Sequence, residues 1–426
     1  MPFAERFDEI RSGFQLPFWV ANFTEIFERV AYYGTTAVLA IYLTEQLHFS
    51  SQLAGTLQGI AGFVVYALAI LAGTLADRFG FRRTLMLAYL LLTIGYFLLG
   101  SLETSWMAPL RHAIGDTWLV SLVLLVPSLG PGLVKPVVAG TTARASSENV
   151  RSLGYSIYYT LVNIGGAVGP MMAWLVRKRL GLGIPNVFRV AAASVFLMFW
   201  VTLFFYREPG RDSDARVQTI GTALKNMFVV LGNLRYVTFL LISSGFYIVY
   251  WQIFLSAPIF LRRYVDPHAD VDLILSIEAI TVISLQILVA YLTQKIPAVR
   301  TIAIGFLIAA FSWILLAVHP STFAFGVLLV ILAIGELLQA SRYYEYCSRL
   351  APSGQQGLYM GYAFLPIAIG DLVGGWLGGR LLHVFGEVLH RPAEMWWVIC
   401  AVGVLTAALM WLYDRIVKPL AAPAAS

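Results

Sequence analysis

The chain has 426 residues, 59% of them hydrophobic and 12% charged, with a formal charge of +6. A soluble domain carries about 25% charged residues, so the composition excludes an ordinary water-soluble fold around one core. The basic excess sits mostly in short loops between apolar blocks, which is a pattern of membrane topology and excludes nucleic acid as the expected partner.

Residues 1–17 are polar and of mixed charge, unlike the apolar core of a cleavable signal, so the first span is expected to serve as its own insertion signal. Twelve apolar blocks follow, over residues 18–43, 53–76, 84–102, 118–142, 152–176, 187–206, 236–261, 271–294, 301–318, 321–349, 355–384 and 395–414. Each approaches or exceeds the ~20 residues that cross a bilayer as a helix. Backbone amides in lipid must bond internally, and the ~10-residue alternating segments of a membrane β-barrel are missing, so an all-α membrane protein is expected. The charged interruption 207–235, with Pro209, Gly210 and Gly232, divides the chain into six-helix halves over 1–206 and 236–426 joined by a linker. Within that linker, residues 216–233 suit an amphipathic surface helix. With both termini inside, 17 of the 29 Lys and Arg fall in inner segments, 9 in outer loops and three within spans. That bias places both termini in the cytoplasm, against the outer cluster Arg177-Lys178-Arg179.

In the first span, Glu25, Glu28 and Arg29 share one helical side through their i, i+3, i+4 spacing, and Tyr32 and Tyr33 continue from it. Ionisable groups in a membrane helix are costly unless they pair or face water, which makes function the default reading. The loop after the second span reads Gly73-Thr-Leu-Ala-Asp77-Arg78-Phe-Gly80-Phe-Arg82-Arg83, a turn that sets an acid among basic residues and can latch one conformation. Lys135 stands in the fourth span beside the helix-weakening Pro136, with Glu25 and Glu28 as the expected partners. Glu336 is the acid placed at mid-depth in the C-terminal half, while Arg342 and Glu345 form an i, i+3 pair nearer the cytoplasm. Trp251, Trp313, Trp376, Trp396 and Trp397 are expected mostly at the membrane interfaces. Cys347 and Cys400 are too few for a disulfide or metal framework. No phosphate-cradling loop, metal-binding His pattern or nucleophile–base pair suggests ATP-driven transport or an enzyme.

The loop at Gly73–Arg83 resembles the signature G-x-L-A-D-R-x-G-x-R-R of the major facilitator superfamily, and the six-plus-six layout is the one that family uses. The run Glu25-Ile-Phe-Glu28-Arg29-Val-Ala-Tyr32-Tyr33-Gly34 resembles the E-x-x-E-R-F-x-Y-Y-G motif of the proton-coupled oligopeptide transporters, with Val30 in place of Phe. Gly130-Pro-Gly132-Leu-Val-Lys135-Pro136 is similar to that family's G-x-G-x-x-K-P. Tyr159-Thr-Leu-Val-Asn163-Ile-Gly165 resembles its fifth-span motif, Gly335-Glu336 its tenth span, and Tyr66 the position of a binding-site tyrosine. Two positions depart: Thr36 stands where the family usually has a second arginine for the peptide carboxylate, and Ala340-Ser341 where it has Ser-Pro. The chain also leaves no room for the two extra helices of many bacterial members.

The resemblance implies a major facilitator fold and a proton-coupled symporter of a small polar solute, such as a di- or tripeptide or another amine-bearing compound. Glu25, Glu28, Arg29 and Lys135 would handle protons and gating. Tyr32, Tyr33, Thr36, Tyr66, Asn163 and Glu336 would line the substrate cavity, with Gly73, Asp77, Arg78, Gly80, Arg82 and Arg83 as the conformational latch. Protons are the only coupling agent expected, with no cofactor and no metal. The expected partners are a small-molecule substrate and the lipid bilayer, for a monomer in the inner membrane. The alternatives are a proton-antiporting exporter of drugs or metabolites, which needs the same acids, and a sensor that keeps the fold without turnover.

Overall fold

The computed structural model describes residues 13–210, 229–352 and 356–417. Residues 216–228 of the proposed linker helix lie outside the described residues. Among the described residues, twelve principal helices appear: α1 Leu16–Ile41, α2 Ser51–Phe79, α3 Phe81–Leu99, α4 Asp116–Arg144, α5 Arg151–Trp174, α6 Ile184–Phe205, α7 Leu234–Tyr250, α8 Val271–Thr293, α9 Ala298–Ser312, α10 Thr322–Leu350, α11 Leu365–Leu381 and α12 Met395–Ile416. Among the described residues, eleven helical segments are long and apolar enough to cross a membrane. The first span is not among them, because every 18-residue window of α1 holds Glu25, Glu28 and Arg29.

Local chemistry explains the element boundaries. Pro17 opens α1 where a missing N–H costs nothing. Gly80, at φ 91°, separates α2 from α3 in a conformation other residues resist. The seventh span ends earlier as a regular helix than the apolar block does. It continues as the short turns Gln252–Leu255 and Ala257–Phe260, with Pro258 opening the second. The eleventh is likewise two pieces, Gln356–Tyr362 and α11, parted before Pro366. A short helix, Ala108–Ile114, occupies a loop in which the sequence suggested none.

The chain forms two compact units. Among the described residues, the first holds those within 1–47, 64–223 and 272–280, and the second those within 48–63, 224–271 and 281–426. In the first, α1 packs on α5 and α6, and α3 on α4 and α6. In the second, α7 packs on α11 and α12, and α9 on α10 and α12. The same pairing therefore recurs six helices later. The α1–α5 contact is close enough to require glycine: a Cβ on Gly34 would stand 2.8 Å from the Gly169 carbonyl oxygen.

The tryptophans correct one expectation. Trp376 and Trp397 are half exposed, as interface residues would be, but Trp313 and Trp396 have no exposed surface. Their rings stack at 4.6 Å and 15°. Trp251 is also buried. Packing inside the second unit, rather than anchoring at a headgroup layer, accounts for these three.

Candidate functional site

Helix α1 brings its three ionisable groups together inside the first unit. Glu25, Glu28 and Arg29 are each 0% exposed. Arg29 Nε donates to Glu28 Oε2 at 2.5 Å and lies 3.6 Å from Glu25 Oε1. The guanidinium also stands 5.1 Å from the centre of the Tyr32 ring. Helix α5 comes against this group through Gly165, where a Cβ would strike the Cβ of Arg29. The glycine of the fifth-span motif thus has a physical cause: it leaves room for the arginine of α1.

Lys135 joins the cluster from α4. Its Nζ lies over the ring of buried Tyr66, 4.6 Å from the centroid, and within electrostatic reach of Glu25. Two carboxylates and two cations from two helices therefore share one neighbourhood. Two members were not anticipated. Tyr89 and Tyr96 of α3 are buried within electrostatic reach of Glu28 and Arg29. Their i, i+7 spacing puts both on one helix face, which is the signal that could have revealed them.

The expected cavity residues are less concentrated. Tyr32 and Tyr33 meet edge to face at 5.3 Å, and both are half-buried. Thr36 donates its hydroxyl to the Tyr32 carbonyl at 2.7 Å, and Asn163 donates its amide to the Tyr159 carbonyl at 2.9 Å. Each thus has one polar hydrogen engaged on its own helix. Glu336 belongs to the second unit, half-buried on α10 and within electrostatic reach of buried Tyr247 of α7. Tyr247 also lies beside buried Gln339; neither residue was singled out from the sequence.

The segment Gly73–Arg83 is not a loop but the end of α2 and the start of α3 about Gly80, and in it Asp77 pairs with Arg144 of α4 at 2.7 Å. Gly80 makes the turn, Arg82 donates to the Leu203 carbonyl, and Arg78 and Arg83 are exposed. Gly73 has open space where a Cβ would lie, so packing does not require glycine there. Glu208, just beyond α6, was not anticipated. Its carboxylate accepts the backbone N–H groups of Phe81 at 2.6 Å and Arg82 at 3.0 Å, capping the positive end of α3.

The twelve-helix arrangement and the buried ion cluster define a polytopic helical membrane protein of the transporter class. The model of the Major Facilitator Superfamily matches residues 21–266 and 253–425, and the chain belongs to that superfamily. Among curated relatives, it is 22% identical over 382 residues to the multidrug resistance protein MdtH of Escherichia coli O157:H7, covering 89% of each chain. It is 24% identical over 390 residues to MdtH of Sodalis glossinidius, covering 91% of this chain and 90% of the relative. Among solved structures, it is similar to a POT family transporter in complex with a thioalcohol-conjugated peptide, with a TM-score of 0.77 and 18% identity over 93% of this chain and 96% of the other. It is also similar to the peptide transporter POT in complex with sulfate, with a TM-score of 0.74 and 20% identity over 95% and 96%. A third likeness is to a POT family transporter bound to 5-aminolevulinic acid, with a TM-score of 0.75 and 18% identity over 93% and 96%.

Proposed function

We propose that the protein is a proton-coupled symporter of a small amine-bearing solute, of the di- or tripeptide type, in the inner membrane with both termini cytoplasmic. The observation that carries this reading is the buried cluster of Glu25, Glu28 and Arg29 with Lys135 in reach. Four charges of both signs in an apolar interior balance one another. Adding one proton to a glutamate leaves an excess cation, which a second carboxylate or a substrate anion satisfies. That imbalance links proton binding to conformation and to solute. Glu336 supplies a carboxylate for a substrate amine. Tyr32 and Tyr33 supply aromatic surface, buried Tyr66 supports Lys135, Thr36 and Asn163 supply polar atoms, and the Asp77–Arg144 pair a conformational latch.

The test uses purified protein in liposomes. Lys135→Ala should abolish solute uptake driven by a proton gradient while retaining counterflow, which needs no net proton movement. Equal loss of both would remove Lys135 from coupling and make it a folding or binding residue. A second reading, a proton-antiporting exporter, draws on the Thr36 substitution and on the name carried by the curated relatives. Inward accumulation with an inward proton gradient favours symport, and depletion favours export. Absence of any flux would leave a sensor.

A further inference from the structure

We propose that the cleft between the α2–α3 junction at Gly80 and the end of α6 is a binding site for the phosphate of an anionic phospholipid headgroup. The cleft has a volume of about 820 Å³, and its lining carries Arg78, Arg82, Arg83 and Arg207 against a single carboxylate, Glu208. That carboxylate is engaged: its two oxygens accept the N–H groups of Phe81 and Arg82. The nearby Asp77 is held by Arg144. The cationic lining is therefore only partly offset. Guanidinium groups are suited to such a ligand, because their planar fork matches two phosphate oxygens.

The walls favour a lipid over a soluble anion. Phe79 is 54% exposed and Phe204 70% exposed at the cleft. Beyond it, Leu87 and Leu90 continue the exposed apolar surface along α3, and Leu197 and Trp200 do so along α6. A phosphate among the arginines would leave acyl chains lying on these apolar tracks. Basic pockets between helices at a membrane surface recognise anionic headgroups in this manner. The site depends on neither the solute nor the direction of transport.

The experiment is native mass spectrometry of the full chain in detergent, titrated separately with phosphatidylglycerol and phosphatidylcholine. The wild type should retain phosphatidylglycerol in preference to phosphatidylcholine. The double variant Arg83→Gln/Arg207→Gln should bind phosphatidylglycerol about twenty-fivefold more weakly, because each basic residue at such a surface contributes about fivefold, with phosphatidylcholine binding unchanged. Arg83→Lys/Arg207→Lys, which keeps the charge and loses the fork, should fall between the wild type and the glutamine variant. If the double variant does not fold, Arg207→Gln alone should still lose about fivefold. Equal retention of both lipids by the wild type, or an unchanged affinity for phosphatidylglycerol in the glutamine variants, would overturn the proposal. So would displacement of phosphatidylglycerol by millimolar inorganic phosphate, which would make the cleft a site for a soluble anion.

Discussion

A guanidinium with no exposed surface needs negative charge within hydrogen-bond reach, and Arg29 finds it at Glu28, 2.5 Å away. Removing one partner of a buried pair leaves the other uncompensated, at a cost of about 3–5 kcal/mol. Glu28→Ala should therefore lower unfolding stability in detergent by about that amount, and Glu28→Gln, which keeps an acceptor and the shape, by less. Equal stability of Glu28→Ala and wild type would show that Glu25 alone suffices for Arg29. Thr36 raises a different question. Its hydroxyl is bonded to the Tyr32 carbonyl, and a threonine cannot give a substrate carboxylate the charge-assisted bond that an arginine would. Such a bond contributes roughly 1.5–3 kcal/mol, or about tenfold to hundredfold in affinity. Dipeptide binding, followed by thermal shift, should tighten in Thr36→Arg and vanish in Glu336→Gln. Tight wild-type binding with no gain in Thr36→Arg would show that the missing arginine does not matter. The charged positions were legible in the sequence because a charge in an apolar block stands out by itself. Tyr247 was not, because a tyrosine in a span has the same local pattern whether it meets lipid or a polar partner; for Tyr89 and Tyr96 the shared helix face was the one available signal.

The pairing of elements explains a feature of the sequence that argued against its own topology. Arg177-Lys178-Arg179 falls on the side expected to be outside, where basic residues should be sparse. Arg177, in the turn that closes α5, forms a fork with Asp272 in the first turn of α8, with bonds of 2.8 and 2.7 Å. Asp272 has no exposed surface. That arginine is therefore placed by a specific partner rather than by the charge bias of loops. Asp272→Leu should destabilise the protein by about 3 kcal/mol, since it removes both bonds of the fork from a cation that is only 15% exposed. Arg177→Met in the same chain should recover most of the loss, because replacing both members of a buried pair by apolar groups is often neutral. Failure of the second change to restore stability would assign the loss to Asp272 and the α8 terminus. None of this was legible from spacing: the two residues are 95 positions apart, and neither belongs to a motif.

The recurrence of one pairing scheme six helices later is a property of the whole molecule that the residues conceal. The first unit joins α1 to α5 through glycine on both sides, Gly34 and Gly169; the corresponding α7–α11 contact sets Gly370 against Tyr247. Equivalent contacts are thus filled by different side chains, so the six-plus-six division was visible in segment count and not in residue identity. Within the units, the segments do not follow the halves: residues 48–63 belong with the second unit and 272–280 with the first, through long-range contacts that no local pattern reports. The bias of 17 inner against 9 outer basic residues predicts which loops face the cytoplasm, and Arg177 weakens the main exception by having a structural partner. Exposed Gly210 and exposed His268 lie on opposite sides in that scheme. A membrane-impermeant maleimide should label His268→Cys in intact cells or spheroplasts and Gly210→Cys only after the membrane is opened. The native Cys347 and Cys400 are buried and should contribute little background. Labelling of Gly210→Cys from outside, with His268→Cys protected, would invert the topology and move the arginine cleft to the outer leaflet.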